Sequence, residues 1–146
     1  MSTAVNGRLR REVAERAYHV CEYCLVHEQD TFWGCQVDHI ISRKHRGPSD
    51  SDNRAWACAC CNNTKGTDLG ARVGQPPELV RLFHPRLDHW AACFQLLAAR
   101  IEPQNPHGQA TVKLLQLNHD SRLAERQTLA SSGRYPTIEA LARMKE

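Results

Sequence analysis

Cys21-Glu22-Tyr23-Cys24 and Cys58-Ala59-Cys60-Cys61-Asn62-Asn63-Thr64-Lys65-Gly66 bracket two shorter stretches, Val37-Asp38-His39-Ile40-Ile41 and Asp52-Asn53-Arg54. The span from 21 to 66 decides how the whole chain is read. Each Cys-x-x-Cys turns two thiolates toward one ion, and a pair of them supplies the tetrahedral four-sulfur set that structural Zn²⁺ prefers. The 33 residues between Cys24 and Cys58 exceed the roughly 15–20 of a simple zinc ribbon. They leave room for a two-stranded hairpin and its loop, whose ends the metal would clip together. Cys60 is a register rival of Cys58, but only Cys58 keeps a two-residue gap to Cys61. Cys35 and Cys93 read as small core residues, and four thiolates leave no need for His27. A closed four-cysteine site has no open coordination position, so it holds a fold and does not activate water.

Outward from this centre, composition sets the bounds. At 146 residues the chain suits one core rather than two. Seven cysteines are an odd count for a closed disulfide framework, which favours a reduced, metal-binding use. No apolar run approaches the roughly 20 residues that span a bilayer. Met1 to Asn6 is polar, without a signal-peptide core, so a cytoplasmic location is the expectation. The net charge of +3 is compatible with a polyanionic partner without demanding one. Arg8, Arg10, Arg11 and Arg16 crowd the start; Arg43, Lys44 and Arg46 form a second cluster, followed by Arg54 and Lys65. Such runs are solvated faces unless they border a site that handles phosphate.

The periodicity of Leu9, Val13, Ala17 and Val20 predicts a first helix, capped by Asn6. Phe32 to Ile41 reads as a strand, Ser42 to Asn53 as a loop and Arg54 to Ala57 as a second strand. A helix is expected from Asn62 to about Leu69. Gly70 to Pro77 reads as a connector. Pro85 to Ile101 carries the clearest helical face, through Leu87, Trp90, Ala91, Phe94, Leu97, Ala98 and Ile101. Further helices are expected over Thr111–Leu117, Asp120–Ala130 and from Thr137. The fold class is therefore α+β. A zinc-stabilised core with its first helix spans 1–75, and a helical extension, 76–146, packs on it as one unit.

In residues and order, about Arg11 to Gly66 resembles the HNH endonuclease family with its ββα-metal core. An Asp-His closes a hydrophobic strand, an Asn precedes the second strand, and Cys-x-x-Cys-Asn-x-x-Lys-Gly opens the helix. The stretch from Leu82-Phe83-His84-Pro85-Arg86 through Trp90 to Gly108, Thr111 and Val112 is similar to the tail of one bacterial HNH subgroup. The resemblance implies a metal-dependent nuclease acting on DNA, expected to be double-stranded. His39 would be the general base, since a neutral imidazole accepts a water proton near pH 7. Asp38 and the amide oxygen of Asn62, with Asn63 as a substitute, would hold a Mg²⁺ or Mn²⁺ ion. Asn53 would orient the loop that bears His39. Asn62 could equally serve as a helix cap.

Two departures from the family pattern have consequences. Asn62 stands where the family name implies His, which favours oxygen-preferring ions. Arg54 replaces the common leucine, which either exposes that strand or brings a cation near phosphate. Arg43, Lys44, Arg46, Arg54 and Lys65 are the candidate nucleic-acid contacts, with His45 behind them. Adjacent residues of a regular strand face opposite ways, so Asp38 and His39 share a site only where the strand ends or bends. The competing reading is a zinc module of the same fold that binds nucleic acid without cutting it. Thioredoxin-like redox chemistry at Cys21-x-x-Cys24 lacks its βαβ context.

Overall fold

A computed structural model describes residues 7–146; the expected cap at Asn6 lies outside them. Helix α1 (Gly7–Arg16) buries Val13 and Ala14, and Ala17 and Val20 continue that apolar face beyond its end. The helix stops where Tyr18 and His19 turn left-handed, at φ of 55° and 63°. The chain then closes the first cysteine knuckle, where the Cys24 N–H donates to Cys21 Sγ at 3.5 Å.

Strand β1 (Cys35–His39) pairs antiparallel with β2 (Arg54–Cys58), in register from Cys35 opposite Cys58 to His39 opposite Arg54. The expected strand start at Phe32 is too early: Phe32 and Trp33 lie in a bend and are 85% and 79% exposed, with Gly34 at φ 72° before the strand. Helix α2 (Ala59–Lys65) follows β2 without a loop, because Cys58 Sγ caps it by accepting the Cys61 N–H at 3.4 Å. The second knuckle and the helix start are one object. Asn62 is therefore inside α2 and not its cap, contrary to one expectation.

Beyond α2 the chain is less helical than its periodicity implies. The expected connector is instead hairpin β3 (Gly70–Val73) and β4 (Glu78–Arg81). Gly70 is required there, since a Cβ would lie 2.4 Å from the Val80 carbonyl oxygen. The expected border between core and extension, at 75/76, falls in the turn of this hairpin. The expected long helix over Pro85–Ile101 is a single turn, α3 (Trp90–Cys93), followed by hairpin β5 (Phe94–Leu97) and β6 (Arg100–Pro103). Distant side chains complete that hairpin. Asn118 accepts from the Ile101 N–H at 3.0 Å and donates to its carbonyl at 2.7 Å, while Gln104 donates to the Phe94 carbonyl at 2.9 Å. Asn118, 17 residues beyond Ile101, is invisible to local periodicity.

Helix α4 (Pro106–Leu114) begins earlier than expected, capped by Asn105 with Pro106 in its first turn. Helices α5 (Asp120–Ser131) and α6 (Ile138–Met144) lie where expected, the latter capped by Thr137. The fold is α+β. One apolar cluster joins Val13, Tyr23, Trp56, Phe83, Trp90, Phe94, Leu115 and Tyr135 across both halves. No helix of the described residues is long and apolar enough to cross a membrane.

Candidate metal centre and active-site cleft

The sulfur atoms of Cys21, Cys24, Cys58 and Cys61 all lie within 4.8 Å of one another, and all four residues are buried. Cys24 Sγ and Cys58 Sγ are 3.8 Å apart. A tetrahedron with metal–sulfur bonds of about 2.3 Å has edges of about 3.8 Å, so this donor set fits one zinc ion. Cys58 rather than Cys60 joins the cluster: Cys60 is exposed and lies outside it, and Cys35 and Cys93, though buried, lie outside it too.

The elements after residue 76 reach back to these knuckles. Arg122 Nη2 donates to Cys61 Sγ at 2.9 Å and its Nη1 to the Leu115 carbonyl at 2.8 Å. A cation there offsets part of the charge that four thiolates place in the interior. Tyr135 donates to the Cys24 carbonyl at 2.7 Å, and the Trp90 indole to the Tyr23 carbonyl at 3.0 Å. Glu22, inside the first knuckle, is fully buried. It accepts the Trp56 N–H at 2.8 Å and pairs with both Arg86 and Arg143. The sequence reading missed Glu22, Tyr23 and Arg122. The one available signal was a charged residue inside a cysteine knuckle.

The second locus is an open cleft of about 530 Å³ between the end of β1 and the outer side of α2. Asp38, His39, Arg43, Lys44, Asn62 and Asn63 all line it. Strand β1 ends at His39, which is the condition for neighbouring residues to reach one site. They reach it unequally. Asp38 is 4% exposed. Its Oδ2 accepts from the Tyr23 hydroxyl at 2.8 Å, and Lys65 Nζ donates to its Oδ1 at 3.3 Å. Burial pushes the Asp38 carboxyl upward, and Lys65 and Tyr23 offset only part of that. His39 is half-buried. Burial, then the Arg54 charge, holds its imidazole below the ordinary histidine value, which leaves it neutral at pH 7. Its Nε2 is buried and bonds to no protein group.

Asn53 stands behind the cleft and is 3% exposed. Its side chain binds the backbone of Ile41, accepting from the N–H and donating to the carbonyl, both at 2.9 Å, and donates to the Pro48 carbonyl at 2.7 Å. These bonds fold the 42–53 loop back on the residues that follow His39. Gly47 lets the loop close, since a Cβ there would meet the Ile41 carbonyl oxygen at 1.8 Å and Asn53 Nδ2 at 2.8 Å. Arg43 and Lys44 are exposed on the rim; Arg46 is exposed at the end of the same turn.

Two expected surface contacts are instead internal. Lys65 is 2% exposed and donates to the His39 carbonyl at 3.0 Å besides Asp38. Arg54 is 3% exposed within a strand that is buried from end to end, and it donates to the Ser49 carbonyl at 2.9 Å. Neither reaches a phosphate backbone on the protein surface. Their long apolar stems pack inward. The Lys65 charge is met by a carbonyl and a carboxylate, whereas Arg54 bonds through Nη2 alone and its buried Nε and Nη1 have no hydrogen-bond partner among the described residues.

Residues 21–68 match the family model described as HNH endonuclease. No curated protein and no solved structure matches the chain.

Proposed function

We propose, from the match of residues 21–68 to the HNH endonuclease family model, that the chain hydrolyses phosphodiester bonds of double-stranded DNA. The observation that carries this reading is the pairing of His39 and Asp38 at the end of β1 in one open cleft rimmed by Arg43 and Lys44. His39 takes the proton of the attacking water, a task suited to an imidazole kept neutral. Asp38 and Asn62 would hold a divalent ion, Mg²⁺ or Mn²⁺. When bound, that ion offsets the charge that grows on the phosphate and the leaving oxygen. A single carboxylate beside an amide, both bordering one cleft, fits a hard, oxygen-liganded ion. Asn53 holds the loop after His39, and Arg43, Lys44 and Arg46 receive the DNA backbone. A zinc ion held by Cys21, Cys24, Cys58 and Cys61 would be structural.

One observation favours the second reading, a binding module without chemistry: the Asp38 carboxylate already has protein partners in Tyr23 and Lys65. Supercoiled plasmid incubated with the purified chain separates the two. Nicked or linear product with Mg²⁺ or Mn²⁺, absent with EDTA, is the expected result. Plasmid bound but left intact under every metal selects the binding module.

A further inference from the structure

We propose that Lys65 is the internal counter-ion of the cleft, and that the divalent ion is bound together with a phosphodiester rather than ahead of it. The proposal rests on the nuclease reading above and concerns how the same cleft is loaded. Asp38 is the single acidic side chain among the residues that line the cleft. Its charge is already met. Lys65, the last residue of α2 and almost fully buried, places Nζ 3.3 Å from Oδ1 and 3.2 Å from Oδ2. The Tyr23 hydroxyl takes a further position on Oδ2. The ammonium cannot swing out freely, because it also holds the His39 carbonyl at 3.0 Å and its stem is enclosed by the core.

The remaining charges point the same way. Arg43 and Lys44 stand on the rim, and Arg54 is paired across the hairpin from His39. A divalent cation entering the free protein therefore meets one neutralised carboxylate and several cations. The buried Lys65 ammonium is poorly screened and repels a second cation strongly at short range, while the exposed rim cations add a weaker, solvent-screened repulsion. A phosphodiester reverses this balance: it brings negative charge and oxygen ligands, and the rim cations attract it. Metal and DNA then bind with positive coupling, and each raises the affinity for the other by the same factor.

The test measures Mn²⁺ binding by the electron-spin resonance of free Mn²⁺, using the zinc-loaded full chain. A His39→Ala background keeps a short duplex uncut, and duplex alone serves as the reference. Mn²⁺ should bind about tenfold or more tightly when the duplex is present. Adding Lys65→Met should strengthen Mn²⁺ binding without DNA by about tenfold or more and shrink the coupling. Zinc content and circular dichroism report whether that variant folds. If it does not, the comparison with and without duplex in the Lys65 protein decides alone. Micromolar Mn²⁺ binding that the duplex leaves unchanged overturns the proposal, and so does an absence of Mn²⁺ binding both with and without the duplex. Plasmid cleavage by the wild-type chain is scored in parallel. Cleavage beside DNA-independent Mn²⁺ binding overturns the counter-ion role alone, whereas no cleavage with any metal overturns the nuclease reading.

Discussion

Replacing Asn53 by alanine removes three hydrogen bonds at once: the Ile41 N–H at 2.9 Å, the Ile41 carbonyl at 2.9 Å and the Pro48 carbonyl at 2.7 Å. At roughly 1 kcal/mol net for each bond, the loss is about 3 kcal/mol. That is a large share of the roughly 5–15 kcal/mol by which domains are stable. The fold should survive, because the backbone bond from the Ile40 N–H to the Asn53 carbonyl, at 3.0 Å, does not depend on the side chain. The loop after His39 loses its internal clamp, and a displacement of about 1 Å at a catalytic group lowers rates about 100-fold. Urea unfolding, zinc content and single-turnover plasmid nicking measure the three consequences separately. The expected pattern is lower stability, retained zinc and a rate reduced about 100-fold. A wild-type rate in a destabilised Asn53→Ala protein would refute the positioning role. Unchanged stability would refute the clamp itself.

Other outcomes follow from the same contacts. Arg122→Met removes the cation beside Cys61 Sγ and should weaken zinc retention about 10–100-fold in chelator competition; unchanged retention would show that the guanidinium is mere packing. The Arg81 guanidinium and the His84 N–H hold the Asp88 carboxyl below its usual range. Its contribution to stability is thus present above about pH 4 and lost as the pH falls through the depressed folded value. Arg81 is half-exposed, so Asp88→Asn should cost only about 1 kcal/mol at pH 7. Thermal melts should show the gap from wild type closing in acid; a gap that widens there contradicts the pairing. For His39, burial and the neighbouring Arg54 charge lower the imidazole in the free protein. The acid limb of kcat/KM should therefore lie below about pH 6.5, and a limb above pH 7 would exclude His39 as the base so perturbed.

Much of the core was legible because spacing alone encodes it. Two Cys-x-x-Cys knuckles must converge if they hold one ion, and the distance between them measures out a hairpin. Burial of long polar side chains was not legible. Lys65 and Arg54 have the composition of phosphate contacts, yet Lys65 is the inner partner of Asp38 and Arg54 lies in a fully buried strand. Nothing local distinguishes an outward lysine from an inward one; the decision rests on a carboxylate 27 residues away. The β5–β6 hairpin escaped for a related reason. Apolar residues from Trp90 to Ile101 satisfy a helical period, but Asn118 and Gln104 supply the bonds that stabilise strands instead. The start of α2 was misplaced because a cysteine, Cys58, provides the cap that a serine or asparagine usually does.

The central claim is that His39 performs chemistry in this cleft rather than supporting a DNA-binding surface. The most direct measurement compares wild type with His39→Ala, both zinc-loaded, for binding to a short duplex and for nicking of plasmid in Mg²⁺ or Mn²⁺. Equal DNA binding is expected, with nicking by the wild type and a rate lowered about 100-fold or more in the variant. Equal nicking by both proteins would contradict it.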